Sequence, residues 1–430
     1  GKRGINISYY VLKYGSKQSM GPMIGNNEKN IFSLFNESNG TINPLKYIVK
    51  KSRVLNLSVD EIINIFNRFF EYIKIDQNEN VAEKPLIHCV FDGKNDMMHR
   101  EKIVEYLIDR LPKKILDVVD KRKMALIHYA LNTNLGESHG IVKRLIEKKV
   151  DLNITDFWGK RPIHYALENQ EYETIGLLLD KQNLPDPLYV DKNNKNVLHY
   201  ICANHRLPNR VELVRLLIHP GNVNTVDTSD NMPIHYLMTT RSNSHTGPMD
   251  MLLIMKLMIE NGLVIDNKRH QELILEYICS RSNGSSQFEI FKLFLPFVAN
   301  FIKSSEQTIS DSMIKLCSKD NNFNPKQQFE VIRLLIESGA NFATIGPDNA
   351  SPMCYVCGEM NMMCSEDQSE AIRLMLDYHR VNGMDFNNLC NLKYMTTPVH
   401  LICSQNNKLI SKDQLKCIRM LMKEKINLET

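Results

Sequence analysis

The sequence predicts an all-α fold: a solenoid of about nine degenerate helix-pair repeats behind a helical N-terminal cap. Three observations predict it. A short phrase recurs in which a turn, often with a proline, leads to an apolar residue and then a histidine. It reads PLIHCVF at His88, ALIHYAL at His128, RPIHYAL at His164, NVLHYIC at His199, MPIHYLM at His235 and TPVHLIC at His400. From His88 to His235 the histidines are 40, 36, 35 and 36 residues apart, a period that marks stacked supersecondary units. Between the phrases lie runs such as IVKRLIEKKVDLN (141–153), ELVRLLIHPGNVN (212–224), IMKLMIENG (254–262), VIRLLIESGANF (331–342), AIRLMLDY (371–378) and CIRMLMKEKINL (417–428). Their apolar residues return every three or four positions, as on a helix with one buried face.

Taken in order, residues 1–30 are rich in Gly, Ser, Asn and Met and read as a flexible or irregular segment. Residues 31–80 read as a helical N-terminal cap or degenerate repeat, with Ser58 and Glu61 spaced for a capping box. A solenoid needs such a cap because an interior repeat exposes a sticky face. Residues 81–430 read as the repeat array, expected to continue beyond the C-terminus. Between His235 and His400 the phrase weakens; LILEYIC, SMIKLCS and SPMCYVC place Glu276, Lys315 and Cys354 in the histidine slot. Within a repeat the order is turn, short helix, loop, longer amphipathic helix. Proline opens the first helix because its missing N–H would be unpaired there anyway. The histidine one turn along is placed to bond backbone groups of the tight turn. His88, His128, His164, His199, His235 and His400 therefore read as structural repeat histidines, recurring once per unit rather than converging on a metal or a reacting group.

Composition excludes little but points the same way. A net charge of +4 over 430 residues makes no electrostatic case for nucleic acid or membrane as partner. No apolar run reaches the roughly 20 residues of a membrane span. The ten cysteines sit mostly in apolar helical text, as thiols do in a reducing compartment. Cys354, Cys357 and Cys364 give C-x2-C-x6-C, which lacks the paired spacing of a zinc site, so no metal is assigned. No phosphate loop, no G-x-S-x-G and no H-E-x-x-H occurs, so neither catalytic residue nor cofactor site is assigned.

RPIHYAL behind the turn Asp156–Phe157–Trp158–Gly159, TTPVHLIC (396–403) and LLIESGANF (334–342) resemble the ankyrin repeat, whose signature is T-P-L-H-x-A, then a V-x-x-L-L-like helix and G-A-x-x-N. The resemblance covers roughly residues 84–430. Its long spacings, degenerate units and insert TTRSNSHTGPMD (239–250) resemble the ankyrin proteins of poxviruses, many of which carry a C-terminal F-box-like segment. That resemblance implies a non-catalytic host-range or immune-evasion factor, placed in the host cytoplasm or, alternatively, shared between cytoplasm and nucleus. Its array would bind a host signalling protein, such as an NF-κB pathway component, the necroptosis kinase or an interferon-induced protein. A Skp–cullin ubiquitin ligase would be recruited through a C-terminal segment not in this chain; the alternative is sequestration with no ligase link. The internal string LPKKILDVV (111–119) resembles an F-box opening but lies in phase with the repeats as a helix end and turn. The ankyrin resemblance implies that partners are met at the turn tips and the concave face. The tips comprise Phe157, Trp158, Lys160 and Arg161, then Asp191, Lys192 and Asn193, then Thr228, Asp230 and Asn231, with the inserts at 240–248 and 357–369 as further loops.

Overall fold

The computed structural model describes residues 100–132, 138–169, 172–179, 184–239, 248–279, 286–303, 307–319, 323–342, 351–359, 361–383 and 397–423, with isolated positions at 58–60, 62–64, 67 and 88. The expected N-terminal segment and nearly all of the cap, Glu61 included, lie outside the described residues. All regular elements among the described residues are helices. The chain forms two compact units, Gly1–Asn209 and Arg210–Thr430.

In the N-terminal unit, α1 (Arg100–Arg110), α2 (Lys113–Leu116), α3 (Leu126–Leu131), α4 (Ser138–Glu147), α5 (Pro162–Asn169), α6 (Tyr172–Leu178) and α7 (Val197–Ala203) follow one another. The short first helices α3, α5 and α7 pack in a row, and the second helices α1, α4 and α6 pack in another. Between the rows lies a core that includes Ile103, Leu107, Leu126, Leu145, Leu167 and Ile175, each at most 1% exposed. The F-box-like string contributes only the single-turn helix α2, which runs into the next repeat's turn.

The C-terminal unit repeats the scheme with longer helices. Its first row is α10 (Pro233–Thr239), α12 (Lys268–Ile278), α14 (Gln307–Cys317), α16 (Pro352–Cys357) and α18 (Pro398–Ile402). Its second row is α8 (Arg210–Leu217), α11 (Pro248–Glu260), α13 (Gln287–Val298), α15 (Pro325–Glu337), α17 (Ser365–Val381) and α19 (Ser411–Lys423), with the one-turn α9 (Pro220–Val223) after α8. Each row packs sequentially. Where the apolar runs at 141, 212, 254, 331, 371 and 417 mark second helices, the helices begin two to six residues earlier, because their first turns are polar and carry no periodicity.

The register of two repeats differs from the expectation. In the other repeats the slot is the third residue of the first helix, behind an N-cap such as Asn196 for His199 or Thr397 for His400. Asn267 caps α12, so the slot residue is His270, not Glu276. In α14 the third residue is Ile309, not Lys315. Both assignments fall six residues late because these first helices run to 11 residues and their most apolar stretch lies at the far end.

Candidate partner-binding edge

Four turns share one construction. The backbone N–H of Asp120, Asp156, Asp191 and Asp227 donates to the carbonyl four residues on, at 3.0–3.1 Å, and each Asp carbonyl accepts the N–H three residues on. The third residue after the Asp is left-handed in every case: Lys123, Gly159, Asn194 and Asp230 have φ of 57, 77, 58 and 60°. Glycine is needed at 159 for a second reason, since a Cβ there would lie 3.1 Å from the backbone nitrogen of Lys192.

Each Asp side chain holds its turn from beneath. One Asp191 oxygen accepts the N–H groups of Asn193 (2.8 Å) and Lys195 (2.9 Å), and the other accepts the Tyr200 hydroxyl at 2.5 Å. Asp156 receives Lys160 N–H and Tyr165 O–H, both at 2.7 Å. Asp120 pairs likewise with Tyr129, and Asp227 with Tyr236. The tyrosine after the histidine is therefore the partner of an Asp nine residues earlier. Burial, with the hydrogen bond to the carboxylate second, pushes the Tyr165 and Tyr200 hydroxyls far above the usual tyrosine range.

The histidines complete the motif. The N-cap N–H of Ala125, Arg161, Asn196, Met232 and Thr397 donates to Nδ1 of His128, His164, His199, His235 and His400, at 2.9–3.2 Å. Histidine thus plays the part that Glu or Gln plays in a capping box, and an accepting Nδ1 fixes the neutral, Nε2-protonated ring. His128 Nε2 lies 3.2 Å from the Lys160 carbonyl of the next turn. The rings of His88, His128 and His164 pack on Tyr129, Tyr165 and Tyr200 of the following repeats, with centroids 4.9–5.4 Å apart. Burial lowers the His164 and His235 rings to about 4 and draws His128 down as well. His88 is buried against the Tyr129 ring. His400 makes the turn contact but is exposed, and its repeat carries Leu401 in place of the tyrosine.

Above these supports lie the tips. In the N-terminal unit Phe157 N–H donates to the Arg122 carbonyl at 2.7 Å and Lys192 N–H to the Trp158 carbonyl at 2.9 Å, so three successive turns form one edge. Phe157 and Trp158 are 52% and 42% exposed and meet edge to face at 5.8 Å. The Lys192 ammonium sits 4.3 Å over the Phe157 ring. Arg161 stacks on Tyr189 at 3.6 Å, and the Tyr189 hydroxyl donates to the Gly159 carbonyl at 2.6 Å. Lys160 pairs with Glu168 at 2.7 Å. Asn193 is exposed beside Lys192.

Asp191 departs from its expected place at the tip: it is 5% exposed, with both oxygens occupied inside the turn. In the C-terminal unit Thr228 is exposed, Asp230 accepts from Arg269 at 3.1 Å, and Asn231 N–H donates to Asp227. The insert at 240–248 lies outside the described residues but for Pro248. The one at 357–369 is packed rather than projecting: Asn361 is 2% exposed and its amide donates to the Val356 and Gly358 carbonyls.

Two devices were not foreseen from sequence. One is the Asp, whose signal is the fixed D-x7-H-Y spacing. The other is a glutamine early in the second helices, buried at positions 287, 328 and 368 and half-buried at 414. Gln287, Gln328, Gln368 and Gln414 donate their amides to the terminal carbonyls of α12, α14, α16 and α18 respectively. Among the described residues no group of three or more His, Cys, Asp or Glu side chains is placed to hold a metal; Cys354 and Cys357 are buried and Cys364 is exposed. Burial drives the Cys357 thiol well above its ordinary range, away from thiolate chemistry.

Stacked helix pairs with a projecting row of hydrogen-bonded turns define a helical repeat protein of the partner-binding class. Residues 127–228 match the family model of ankyrin repeats in three copies, so the chain carries ankyrin repeats, a module of protein–protein interaction scaffolds. No curated protein matches the chain. None of the described helices is long and apolar enough to cross a membrane.

Proposed function

We propose that the chain is a non-catalytic scaffold that binds a protein of host innate-immune or cell-death signalling along the turn edge of its N-terminal unit, in the host cytoplasm. The observation that carries the reading is the presentation of Phe157 and Trp158. Two large aromatic side chains stay half exposed on a turn held from beneath by Asp156 and Tyr165, and aromatic anchors of this kind dominate interface energetics. The resemblance to poxvirus ankyrin proteins supports the further step: the bound protein is delivered to a Skp–cullin ubiquitin ligase through an F-box-like segment outside residues 1–430. The test is affinity capture from interferon-treated cells with the native chain and with Phe157→Ala/Trp158→Ala, read by mass spectrometry. Recovery of a signalling protein with the native chain and its loss with the variant is expected. Equal recovery moves the site elsewhere. Capture without any ligase subunit, and with no fall in the partner's level, leaves a sequestering scaffold and removes the ligase step.

A further inference from the structure

The turn edge has a chemical character that narrows what it binds. Its three turns, 120–124, 156–161 and 191–195, contain seven cations (Lys121, Arg122, Lys123, Lys160, Arg161, Lys192 and Lys195) and three carboxylates; of the cations, Lys160 is paired with Glu168 on the helix that follows. All three carboxylates are turned inward: each accepts from backbone N–H groups on one oxygen and from a tyrosine hydroxyl on the other. The outward side is therefore cationic around an aromatic centre. Lys121, Arg122 and Lys123 are exposed at the first turn, Phe157 and Trp158 at the second, and Lys192 at the third. Backbone hydrogen bonds between the turns hold this order in register. The corresponding turn of the C-terminal unit, Thr228–Ser229–Asp230, carries no cation, so the character is not a property of the repeat in general.

We infer that this ridge accepts an acidic polypeptide segment: one aromatic or large apolar side chain seats against Phe157 and Trp158, and flanking Asp or Glu residues face Arg122 and Lys192. The inference rests on the proposed scaffold function and specifies its partner's chemistry. Charge complementarity sets the sign. A basic segment would meet like charges on both sides of the aromatic pair, and a neutral apolar one would bring no opposite charge to Arg122 and Lys192. An extended segment suits the site because the three turns form a line of backbone-linked tips rather than a pocket.

The test uses the full chain and synthetic fluorescein-labelled 12-residue peptides, followed by anisotropy. The probe has Asp/Glu flanks and a central Trp. Its comparators replace the flanks by Lys, or the Trp by Ala, and a 20-nucleotide single strand serves as a polyanion control. Saturable binding of the acidic Trp peptide is expected, at least tenfold tighter than either peptide comparator and weakening as salt rises. Phe157→Ala/Trp158→Ala and, separately, Arg122→Glu/Lys192→Glu should each weaken it at least tenfold. Thr228→Ala/Ser229→Ala should not change it. Circular dichroism and melting temperature check that each variant folds; the charge pair lies on exposed tips, so it tests the site even if the aromatic pair perturbs a turn. Equal affinity for the Lys-flanked or Ala-centred peptide overturns the inference, as does insensitivity to both variants. Tighter binding of the oligonucleotide, lost in the same variants, also overturns it and assigns the ridge to nucleic acid. Should a captured cellular partner depend on Phe157 and Trp158 while these peptides fail, the acidic-segment inference falls and the scaffold reading stands.

Discussion

The two compact units solve the same problem with different groups. A stack of short helices leaves backbone groups at every helix end that must be paired within the protein. In the N-terminal unit the pairing is made at the helix starts by the Asp–His–Tyr turns, and at the helix ends by Asn169 and Asn204, whose amides reach the Leu131 and Leu167 carbonyls of the preceding first helix. Among the described residues beyond α10 the Asp–Tyr pairing does not recur, while His400 keeps the histidine cap and the Asn407 amide reaches the Cys357 carbonyl of the preceding first helix. There a glutamine on the second helix reaches across to its own repeat's first helix; the Gln328 amide donates to the Leu316, Cys317 and Ser318 carbonyls while its oxygen accepts Met362 N–H. The difference teaches where each unit is rigid. The described turns of the N-terminal unit are fixed from beneath, and so is its outer edge; in the C-terminal unit the glutamines tie the second helix to the end of the first.

Acid should separate the two constructions most strongly. Among the described residues, burial depresses the rings of His128, His164, His235 and His379, and three of these four belong to Asp–His–Tyr turns. The His164 ring, which faces Asp191, Lys160 and Arg161, falls from 6.5 to about 4. The unfolded chain then binds protons that the folded one refuses. Stability is complete above pH about 6.5 and is lost as the pH falls toward 4, at most ~3 kcal/mol for such a ring. Hydrogen exchange, corrected for its intrinsic pH dependence, should show residues 120–240 losing protection between pH 7 and pH 4.5 before residues 323–342, which contain no histidine. A protection pattern independent of pH would contradict neutral, buried turn imidazoles.

Next in size is Asp191→Ala. It leaves two turn N–H groups and the buried Tyr200 hydroxyl without their acceptor, a loss of ~3 kcal/mol, since bonds to an ionised partner are the stronger kind. Because repeats couple mainly to their neighbours, the effect should stay local: faster exchange at 184–203 and no change at 323–381. Gln328→Ala is the mirror experiment, expected to cost ~2 kcal/mol by stranding buried carbonyls and Met362 N–H. It should loosen the end of α14 and the 361–363 segment while leaving the turns at 120–124 and 191–195 untouched. If either variant melted both regions equally, the division of labour between the units would be wrong.

How much of this the sequence announces follows from the same division. The histidine is legible because a turn repeated at 35 or 36 residues forces the same residue back into the same slot, and the helix pairs are legible because burial imposes a period. The Asp–Tyr pairing shows only as a fixed spacing of nine, which carries no meaning until the turn brings the two side chains together. The glutamines are invisible, because an amide in the first turn of a helix looks like surface text unless the neighbouring helix end is known. The register error at Glu276 and Lys315 has a related cause: with long, uniformly apolar helices the eye takes the most apolar stretch for the start. A turn residue between charged neighbours reads as outward-facing, yet the Asp191 carboxylate faces inward because it is what builds the turn.

The smallest expected stability change is at the surface that the turns support. Phe157 and Trp158 are half exposed, and the contacts they make with each other and with Lys192 lie at the rim, each worth roughly 0.5 to 1 kcal/mol. Phe157→Ala/Trp158→Ala should therefore shift stability by no more than about 1 kcal/mol, since the backbone bonds from Phe157 N–H and to the Trp158 carbonyl survive the substitution. Exchange at 156–161 should stay near that of the native chain, in contrast with the loosening that Asp191→Ala causes one turn further on. Loosening of the same extent in both variants would make the aromatic pair part of the turn's own support. Asp156 and Tyr165 hold the turn from beneath whether or not the aromatic pair is present, which is why the two variants should separate.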